Sequence, residues 1–191
     1  MVDEQVESIL SAGLQLLKEV GCEGFSIQKV SEQAALSEST VLLYFKNKHV
    51  LLDKLFEDFI NRYFTYLQAY QKPSRQSGKA ALSSLLFYIL KYRENSGNSD
   101  LFKEFWASAN HHRLGRLAYD QYYRELYAQL YTHLQTIAPV GCAVEQLQIA
   151  VSIVLPFIEG YSITRSTLPI SILQLTDQLA NCLAPLLFKT G

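Results

Sequence analysis

Cysteine is scarce in this sequence, and the few cysteines that occur are far apart. The 191 residues contain three, Cys22, Cys142 and Cys182. An odd number of scattered cysteines does not form a disulfide framework, so the thiols favour a reducing compartment, and we expect a cytoplasmic protein. The 9 glycines, 5 prolines and 49% hydrophobic residues exclude collagen-like, low-complexity and disordered chains.

Long apolar runs are also missing. A membrane-spanning helix needs roughly 18 or more consecutive apolar residues. The longest apolar region, 149–158, is short and contains Ser152 and Pro156. The opening residues, MVDEQVES, are acidic and lack the apolar segment of a signal peptide. We therefore expect neither a membrane association nor secretion.

Neither sign of charge dominates the sequence. With 17 Lys and Arg against 18 Asp and Glu, the net charge is −1, which indicates no particular partner. The first 60 residues carry a balance of −5, but residues 26–54 within them carry +1, because the acids concentrate nearer the N-terminus. A nucleic-acid contact in this part of the chain is therefore better placed within residues 26–54.

Motifs of enzymes and metal sites are absent from the sequence. It contains no GxSxG, Walker, GxGxxG, CxxC or HExxH pattern. His111 and His112 are adjacent, so on a helix their side chains point about 100° apart and do not chelate one ion as an i,i+4 pair does. We expect no catalytic residues, no metal, no cofactor and hence no enzyme.

Helical periodicity, by contrast, runs from end to end. Apolar residues recur at three- and four-residue spacing and no segment alternates as a strand does, which predicts an all-α fold of about nine helices. The first helix covers 6–20 and ends at Gly21, and Asn47 caps the fourth. A linker at 72–78, KPSRQSG, separates the fourth helix from the fifth.

Two short helices near the N-terminus are separated by a two-residue turn. Ser26 is a candidate N-cap for a helix over 27–34, and Ser37 for a helix that runs to about Tyr44. Only Ala35 and the leucine after it lie between these helices. Two short helices joined by so short a turn are typical of a helix-turn-helix motif.

The stretch ILSAGLQLLKEVGCEGFSIQKVSEQAALSESTVLLYFKNKHVLL resembles the N-terminal domain of the TetR family of transcriptional regulators. The residues that carry the resemblance are Ile9, Leu10, Ala12, Leu16, Gly21, Ser26, Ile27, Val30, Glu32, Ala34, Ser37, Thr40, Tyr44, Phe45, Lys48 and Leu51. The resemblance implies an N-terminal three-helix helix-turn-helix DNA-binding domain at 1–47. It also implies a helical ligand-binding and dimerisation domain at 48–191.

The chain departs from the family pattern in four places. Ser39 stands where a small residue, often Gly or Ala, is usual. Ala35 stands where the turn usually holds glycine. Leu42 and Leu43 stand where polar side chains are usual. Asp3 and Glu4 precede the first apolar positions, where a basic arm is common.

The third helix and its neighbours supply the predicted DNA contacts, because a recognition helix enters the major groove through its N-terminal residues. Glu38 can accept a hydrogen bond from cytosine, and Ser39 and Thr40 can bond base edges or phosphates. Tyr44 and Lys48 suit phosphate oxygens. The predicted DNA-binding residues are Ser26, Gln28, Ser37, Glu38, Ser39, Thr40, Leu43, Tyr44, Lys46 and Lys48.

Aromatic residues concentrate in the middle of the chain, where 16 of the 23 lie between positions 59 and 131. Because buried Tyr and Trp need partners for their polar tips, the concentration favours a pocket for an apolar or aromatic small molecule. An ordinary core whose tyrosines reach solvent is the alternative. The predicted ligand-binding residues are Phe59, Tyr63, Tyr88, Tyr92, Phe102, Phe105, Trp106, Tyr119, Tyr123 and Tyr127.

The last two predicted helices, at 144–163 and 170–188, are apolar on nearly all sides. Such helices must be covered on all sides, and a second subunit is the favoured cover. A buried hairpin within a monomer is the alternative. The predicted homodimer interface contains Ile153, Phe157, Leu179 and Leu183.

These features, taken with the resemblance, predict a cytoplasmic, ligand-responsive transcriptional regulator, and the family's usual role is repression. A homodimer would bind a palindromic operator in double-stranded DNA, and a small-molecule effector would release it. The alternative is a TetR-like helical dimer with degenerate DNA reading that acts as a small-molecule or protein-binding module.

Overall fold

The computed structural model describes residues 2–94, 97–109 and 113–188. Within those residues the chain is all α-helical, as predicted, with nine α-helices, one short 3-10 helix at Arg165–Thr167 and no strand. The α-helices are α1 Val2–Gly24, α2 Ile27–Gln33, α3 Glu38–Tyr44, α4 Lys48–Gln68, α5 Gly78–Glu94, α6 Asn98–Ala109, α7 Arg113–Ile137, α8 Val144–Thr164 and α9 Ile172–Leu187.

The chain forms two compact units. The first comprises Met1–Tyr63 and Asp100–Tyr119, as far as these are described. The second comprises the described residues of Phe64–Ser99 and Asp120–Gly191. The first unit holds α1 to α3, and the second holds α5, α8 and α9.

The first half of α4 packs on α1. Leu51 and Leu55 of α4 are fully buried, and a Cβ atom placed on Gly13 of α1 would lie 2.8 Å from Leu55 Cδ1. Glycine therefore permits a close approach of the two helices at this point. The compact unit extends beyond position 47, the predicted end of the DNA-binding domain, because α4 supplies part of its core. The functional boundary at 47 stays a prediction.

Side-chain caps begin the helices at the predicted residues. The Ser26 hydroxyl accepts the Lys29 N–H at 3.2 Å, and the Ser37 hydroxyl accepts the Thr40 N–H at 3.1 Å. The Asn47 carboxamide oxygen likewise accepts a backbone N–H at 3.0 Å at the start of α4. These caps satisfy amide groups that a helix leaves without internal partners, and the three predicted helix starts are confirmed.

The regular part of α1 ends at Gly21, also as predicted. Gly21 has φ 65° and ψ −178°, and the Cys22 N–H after it donates to Glu104 Oε2 of α6 at 2.6 Å. Lys48 Nζ donates to the Cys22 carbonyl oxygen at 2.8 Å. A carboxylate from α6 and an ammonium group from α4 therefore hold the end of α1.

The turn between α2 and α3 contains a residue in the left-handed region. Ala35 has φ 55°, which costs a residue with a Cβ atom about 1 kcal/mol relative to glycine. The Leu36 N–H donates to the Ser31 carbonyl oxygen at 2.9 Å and closes the turn. On either side of it, Val30 of α2 and Val41 of α3 are fully buried. Burial of these valines compensates the backbone cost at Ala35.

In the second unit α5, α8 and α9 pack on one another. By length and composition α8 would suffice to cross a membrane, a property that core helices of soluble proteins share. Leu147, Val151, Val154 and Ile158 line one face of α8 and are buried within the unit. The unit therefore covers one face of this apolar helix and not its whole circumference.

Replacing Ala35 with glycine should stabilise the protein. Glycine adopts φ 55° without steric cost, and its larger entropy in the unfolded chain offsets part of the gain, so we expect up to about 1 kcal/mol. Urea denaturation measures the change. Ala34→Gly is the matched control, because Ala34 has φ −79° and glycine should destabilise the protein there. Equal effects of the two substitutions would contradict the strain at Ala35.

The Cys22 thiol should react slowly with alkylating reagents. Burial, and then the hydrogen bond and charge of Glu104, raise its pKa from 9.0 to about 12, against an opposing contribution from Lys48. Since the thiolate is the nucleophile, iodoacetamide at pH 8 should modify exposed Cys182 more than about tenfold faster than Cys22, as read by mass spectrometry. Glu104→Gln removes the carboxylate charge, so it should lower the Cys22 pKa and raise its rate. An unchanged rate would contradict this environment.

Candidate nucleic-acid interface

The two faces of α3 have opposite characters. Val41 is 0% exposed and Phe45, four residues on, is also buried. Ser39 and Leu43, at i and i+4, lie on the opposite face and are exposed. Leu43 is 79% exposed. Lys46 is also exposed, two residues beyond the end of α3, where Phe45 has left helical geometry. The helix is therefore anchored by one face and presents a hydroxyl and an apolar side chain to solvent. We call these two exposed residues, together with Lys46 beyond them, the α3 stripe.

Three hydroxyl groups cluster at the start of α3. Ser37 Oγ lies 2.8 Å from Ser39 Oγ and 2.7 Å from Thr40 Oγ1. Ser37 also accepts the Thr40 N–H as the N-cap of the helix. The three predicted DNA contacts thus lie together, and each hydroxyl already shares a hydrogen bond with another. The adjacent Glu38 is exposed.

Tyr44, predicted to contact phosphate, is tied to α1. Its hydroxyl donates to Gln5 Oε1 at 2.7 Å, and the side chain is half-buried. The sequence gives no sign that Gln5 is the partner, because 39 residues separate it from Tyr44 and neither side chain has a local signature. This hydrogen bond fixes the aromatic ring beside α3 and orients its hydroxyl.

Lys48, predicted to bind a DNA phosphate, forms a hydrogen bond within the protein. Its ammonium group donates to the Cys22 carbonyl oxygen and lies 5.9 Å from the centre of the Phe25 ring. Lys29 Nζ similarly donates to the Gly24 carbonyl oxygen at 2.8 Å. Lys46 is exposed. Of these three lysines, Lys29 and Lys48 therefore bond to backbone carbonyl oxygens near the end of α1, whereas Lys46 lies exposed just beyond α3.

The start of α2 supplies the remaining predicted contacts. The half-buried Ser26 caps the helix through its hydroxyl. The exposed Gln28 amide donates to Glu32 Oε1 at 3.0 Å. Both side chains flank the first turn of α2, where backbone N–H groups can meet an anion, but Gln28 must exchange its partner to do so.

The predicted ligand-binding aromatics of the first unit form a packed cluster. Phe102 of α6 meets Phe59 and Tyr63 of α4 edge-on, with ring centroids 4.6 and 5.6 Å apart. Tyr119 stacks on Phe56 at 5.6 Å. These contacts join the middle of α4 to α6 and α7 within the unit. Trp106 is half-exposed, and the Phe105 side chain lies outside the described residues, as do His111 and His112.

The aromatics of the second unit form a separate group. Tyr66 and Tyr88 stack at 4.2 Å, and each hydroxyl donates to the carbonyl oxygen of the other residue, at 2.9 and 2.7 Å. Tyr92 lies 4.7 Å from Tyr66. The predicted residues Tyr123 and Tyr127 contact Tyr122 and Tyr131 respectively. The polar tip of Tyr88 is therefore satisfied by backbone and joins α4 to α5.

A buried polar triad lies near these tyrosines and was not anticipated. Arg93 of α5 is 0% exposed, and its Nη2 donates to Tyr122 Oη at 2.7 Å and to Glu159 Oε1 at 2.9 Å. The Tyr122 hydroxyl donates to the same carboxylate oxygen at 2.8 Å. The sequence carries no local signal for it, because the members lie on α5, α7 and α8.

A small cavity of about 220 Å³ lies where α7 meets α8. It is lined by residues of the connection, among them Pro139, Val140 and Cys142, and by Tyr131 and Leu147. The volume is below the roughly 300–1,000 Å³ typical of small-molecule sites. Among the described residues no three His, Cys, Asp or Glu side chains are grouped to hold a metal ion.

The predicted dimer residues have different environments in the single chain. Ile153 of α8 is 45% exposed, and Phe157 and Leu179 are half-buried. Leu183 is 2% exposed and shares its face of α9 with buried Ala180. Leu183 therefore packs in the core of its own chain, where it offers no surface to a partner. The opposite face of α9 carries Gln174, Asp177, Gln178 and Asn181 at i, i+3, i+4 and i+7, so the expectation that this helix is apolar on nearly all sides is wrong.

Known proteins with a helix-turn-helix motif are similar to this chain in sequence. Residues 9–55 match the family model described as bacterial regulatory proteins, tetR family. The HTH-type transcriptional regulator in the dhlA 5′ region of Xanthobacter autotrophicus is 32% identical over 181 residues, which cover 93% of this chain and 87% of the relative.

Solved structures share the fold over nearly the whole chain. A TetR transcription regulator from Haloarcula marismortui has a TM-score of 0.77 at 18% identity, covering 98% of this chain and 100% of that chain. The transcriptional regulator FadR from Bacillus subtilis, solved in complex with stearoyl-CoA, has a TM-score of 0.67 at 18% identity, covering 94% of this chain and 97% of that chain.

The similarity to the Xanthobacter protein extends well beyond the helix-turn-helix motif. The relatives and the fold are those of transcriptional regulators and not of enzymes. With α2 and α3 in a helix-turn-helix and α4 to α9 after them in the described part of the chain, the chain belongs to the TetR family of DNA-binding transcriptional regulators.

Proposed function

We propose that this protein is a cytoplasmic, homodimeric and ligand-responsive repressor that binds a palindromic operator and releases it when a small effector binds. The observation that carries the proposal is the geometry of α3, which is buried through Val41 and exposed through the α3 stripe. A helix fixed by one face and free on the other can enter a major groove without unfolding. The stripe lies on the helix of the motif that reads DNA.

The contacts to DNA divide by chemistry. Ser39, Thr40 and Glu38 lie in the first turn of α3, where they can reach base edges. Lys46 at the exit of α3 and the Tyr44 hydroxyl suit phosphate oxygens, which fix the register of the protein on the duplex. We assign Lys48 a supporting role in addition, since its ammonium group holds the end of α1.

The homodimer is supported by the apolar residues that one chain leaves exposed. Val144, Ile149, Ile153 and Ile163 of α8 and Leu173 of α9 are all more than a third exposed. On α8, Ile149, Ile153 and Ile163 follow helical spacing along one face, so a second copy related by a two-fold axis can cover them. Two copies would present their α3 helices about 34–36 Å apart, the spacing of successive major grooves.

The effector is proposed to be apolar or aromatic, because the residues predicted to bind it are aromatic. The FadR protein of similar fold was solved with stearoyl-CoA, which has a long apolar chain. An effector shifts the protein from one arrangement of the two α3 helices to another only if it binds the second arrangement more tightly. The largest shift it can cause equals the difference between its binding free energies for the two arrangements. Repression would end when the favoured spacing no longer matches the operator.

A second candidate is a regulator-like dimer that has lost sequence-specific DNA binding and binds a small molecule or a protein. It is favoured by the engagement of Lys29 and Lys48 with backbone carbonyl oxygens and by exposed Leu42 and Leu43. The salt dependence of DNA affinity separates the two candidates, because phosphate contacts release counterions and apolar or protein contacts do not.

Selection of duplexes from random DNA by the full-length protein should enrich an inverted repeat. The affinity for it should fall with salt with a logarithmic slope of about −0.9 for each phosphate contact. Lys46→Ala should weaken binding and make the slope shallower by about one contact per subunit. Lys54→Ala is the control, since Lys54 pairs with Glu57 on α4. Failure to enrich any repeat at low salt would favour the second candidate.

Ile153→Asp should dissociate the homodimer. A carboxylate in the centre of the interface would be buried without a partner, which costs several kcal/mol, and each 1.4 kcal/mol weakens association about tenfold. Light scattering at micromolar concentration measures the mass, and circular dichroism checks that the chain stays helical. Val140→Asp is the control, because Val140 is fully exposed in the α7–α8 connection. A variant at Ile153 that remains dimeric would contradict this interface.

A further inference from the structure

The most exposed residue of the α3 stripe is apolar. Leu43 is 79% exposed and Leu42 is 42% exposed, whereas Val41 beside them is fully buried. Single exposed leucines are common on protein surfaces and need no explanation by themselves. Leu43, however, shares the face opposite the buried anchor with Ser39 and lies near the end of α3, shortly before the exposed Lys46. A molecule that binds to this exposed face of α3 therefore contacts the Leu43 side chain.

Polar groups around Leu43 are already partly engaged. The hydroxyls of Ser37, Ser39 and Thr40 bond one another at 2.7–2.8 Å, and the Gln28 amide is bonded to Glu32. A base-edge donor or acceptor that uses them must replace these bonds. The Leu43 side chain has no such partner to exchange, and its burial in a complex is favourable by itself.

The major groove offers one apolar feature to such a side chain. Of the four bases only thymine presents a methyl group there, at C5, while the other base edges present hydrogen-bond donors and acceptors. A leucine placed over a donor or acceptor would desolvate it without a partner, which is unfavourable. An exposed leucine on α3 therefore binds more favourably over thymine than over the other bases.

We propose that Leu43 is a specificity-determining residue that reads the C5 methyl group of a thymine in each operator half-site. This proposal rests on the proposed function, since it requires α3 to lie in the major groove. The occupant of the exposed leucine is DNA and not a protein because the exposed Lys46, three residues further along the chain and just beyond α3, carries a positive charge that suits a phosphate oxygen. Leu42, turned about 100° from Leu43 on the helix, lies at the edge of this contact.

The test isolates the methyl group itself. The full-length protein first selects its operator from random duplex DNA, and each thymine of a half-site is then replaced by uracil, which keeps every hydrogen-bonding group and lacks only the methyl. At the thymine that Leu43 contacts, we expect wild-type affinity to fall about threefold to fivefold per half-site, the equivalent of one buried methyl group. Replacing other thymines should change affinity less than twofold.

Variants assign the effect to the side chain. Leu43→Ala should bind the thymine and uracil operators equally, and Leu43→Met, which retains an apolar side chain of similar length, should restore the preference for thymine. Val50→Ala removes a comparably placed exposed apolar residue, 41% exposed on α4, and should leave the thymine preference intact. Because Leu43 is exposed, its substitution leaves the core of the unit unchanged.

The possible failures are distinguishable. If the protein selects an operator but binds its thymine and uracil forms equally, Leu43 does not read thymine and the repressor function stands. If Leu43→Ala matches the wild type on both operators, the proposal is likewise overturned and the leucine serves a protein contact. If no operator is selected at all, the proposed function fails first.

Discussion

The presentation of α3 depends on the burial of one side of a seven-residue helix. A helix this short is not stable alone, because the cost of forming its first turn is not recovered over so few residues. Val41 and Phe45 provide the missing stabilisation by lying in the core of the first unit, and Ser37 caps the free amides at the other end. Everything that α3 shows to solvent follows from which side these two residues bury.

The same constraint explains the tolerance of a strained turn. Ala35 holds a positive φ that glycine would adopt without cost. The four-residue turn 34–37 between α2 and α3 keeps this conformation because Val30 and Val41 on either side of it are both buried. A longer or looser turn would let α3 rotate and would exchange its buried and exposed faces. The backbone cost at one residue is small beside the burial of two valines.

The first unit is further joined by charged groups that bond to backbone. Glu104 of α6 accepts the Cys22 N–H, and Lys48 of α4 donates to the Cys22 carbonyl oxygen. Three helices far apart in sequence thus meet at one peptide segment where α1 leaves helical geometry. In the second unit the Arg93 guanidinium, Tyr122 and Glu159 serve the corresponding purpose among α5, α7 and α8. Arg93 is the fully buried charge of this group, and the Glu159 carboxylate bonded to it supplies the opposite charge.

Local sequence determined the helices, their caps at Ser26, Ser37 and Asn47, the break at Gly21 and the helix-turn-helix motif. These depend on residues within one or two turns of each other, whose preferences the sequence displays directly.

Only the tertiary structure decided which faces are buried. It left Ile153 exposed on α8, a helix that is apolar on nearly all sides, and it placed Leu183 in the core of its own chain. It engaged Lys48 with Cys22 and Tyr44 with Gln5. The reason is physical: such partners are separated by 26 and 39 residues, and the spacing of residues along one helix carries no information about a side chain that reaches it from another.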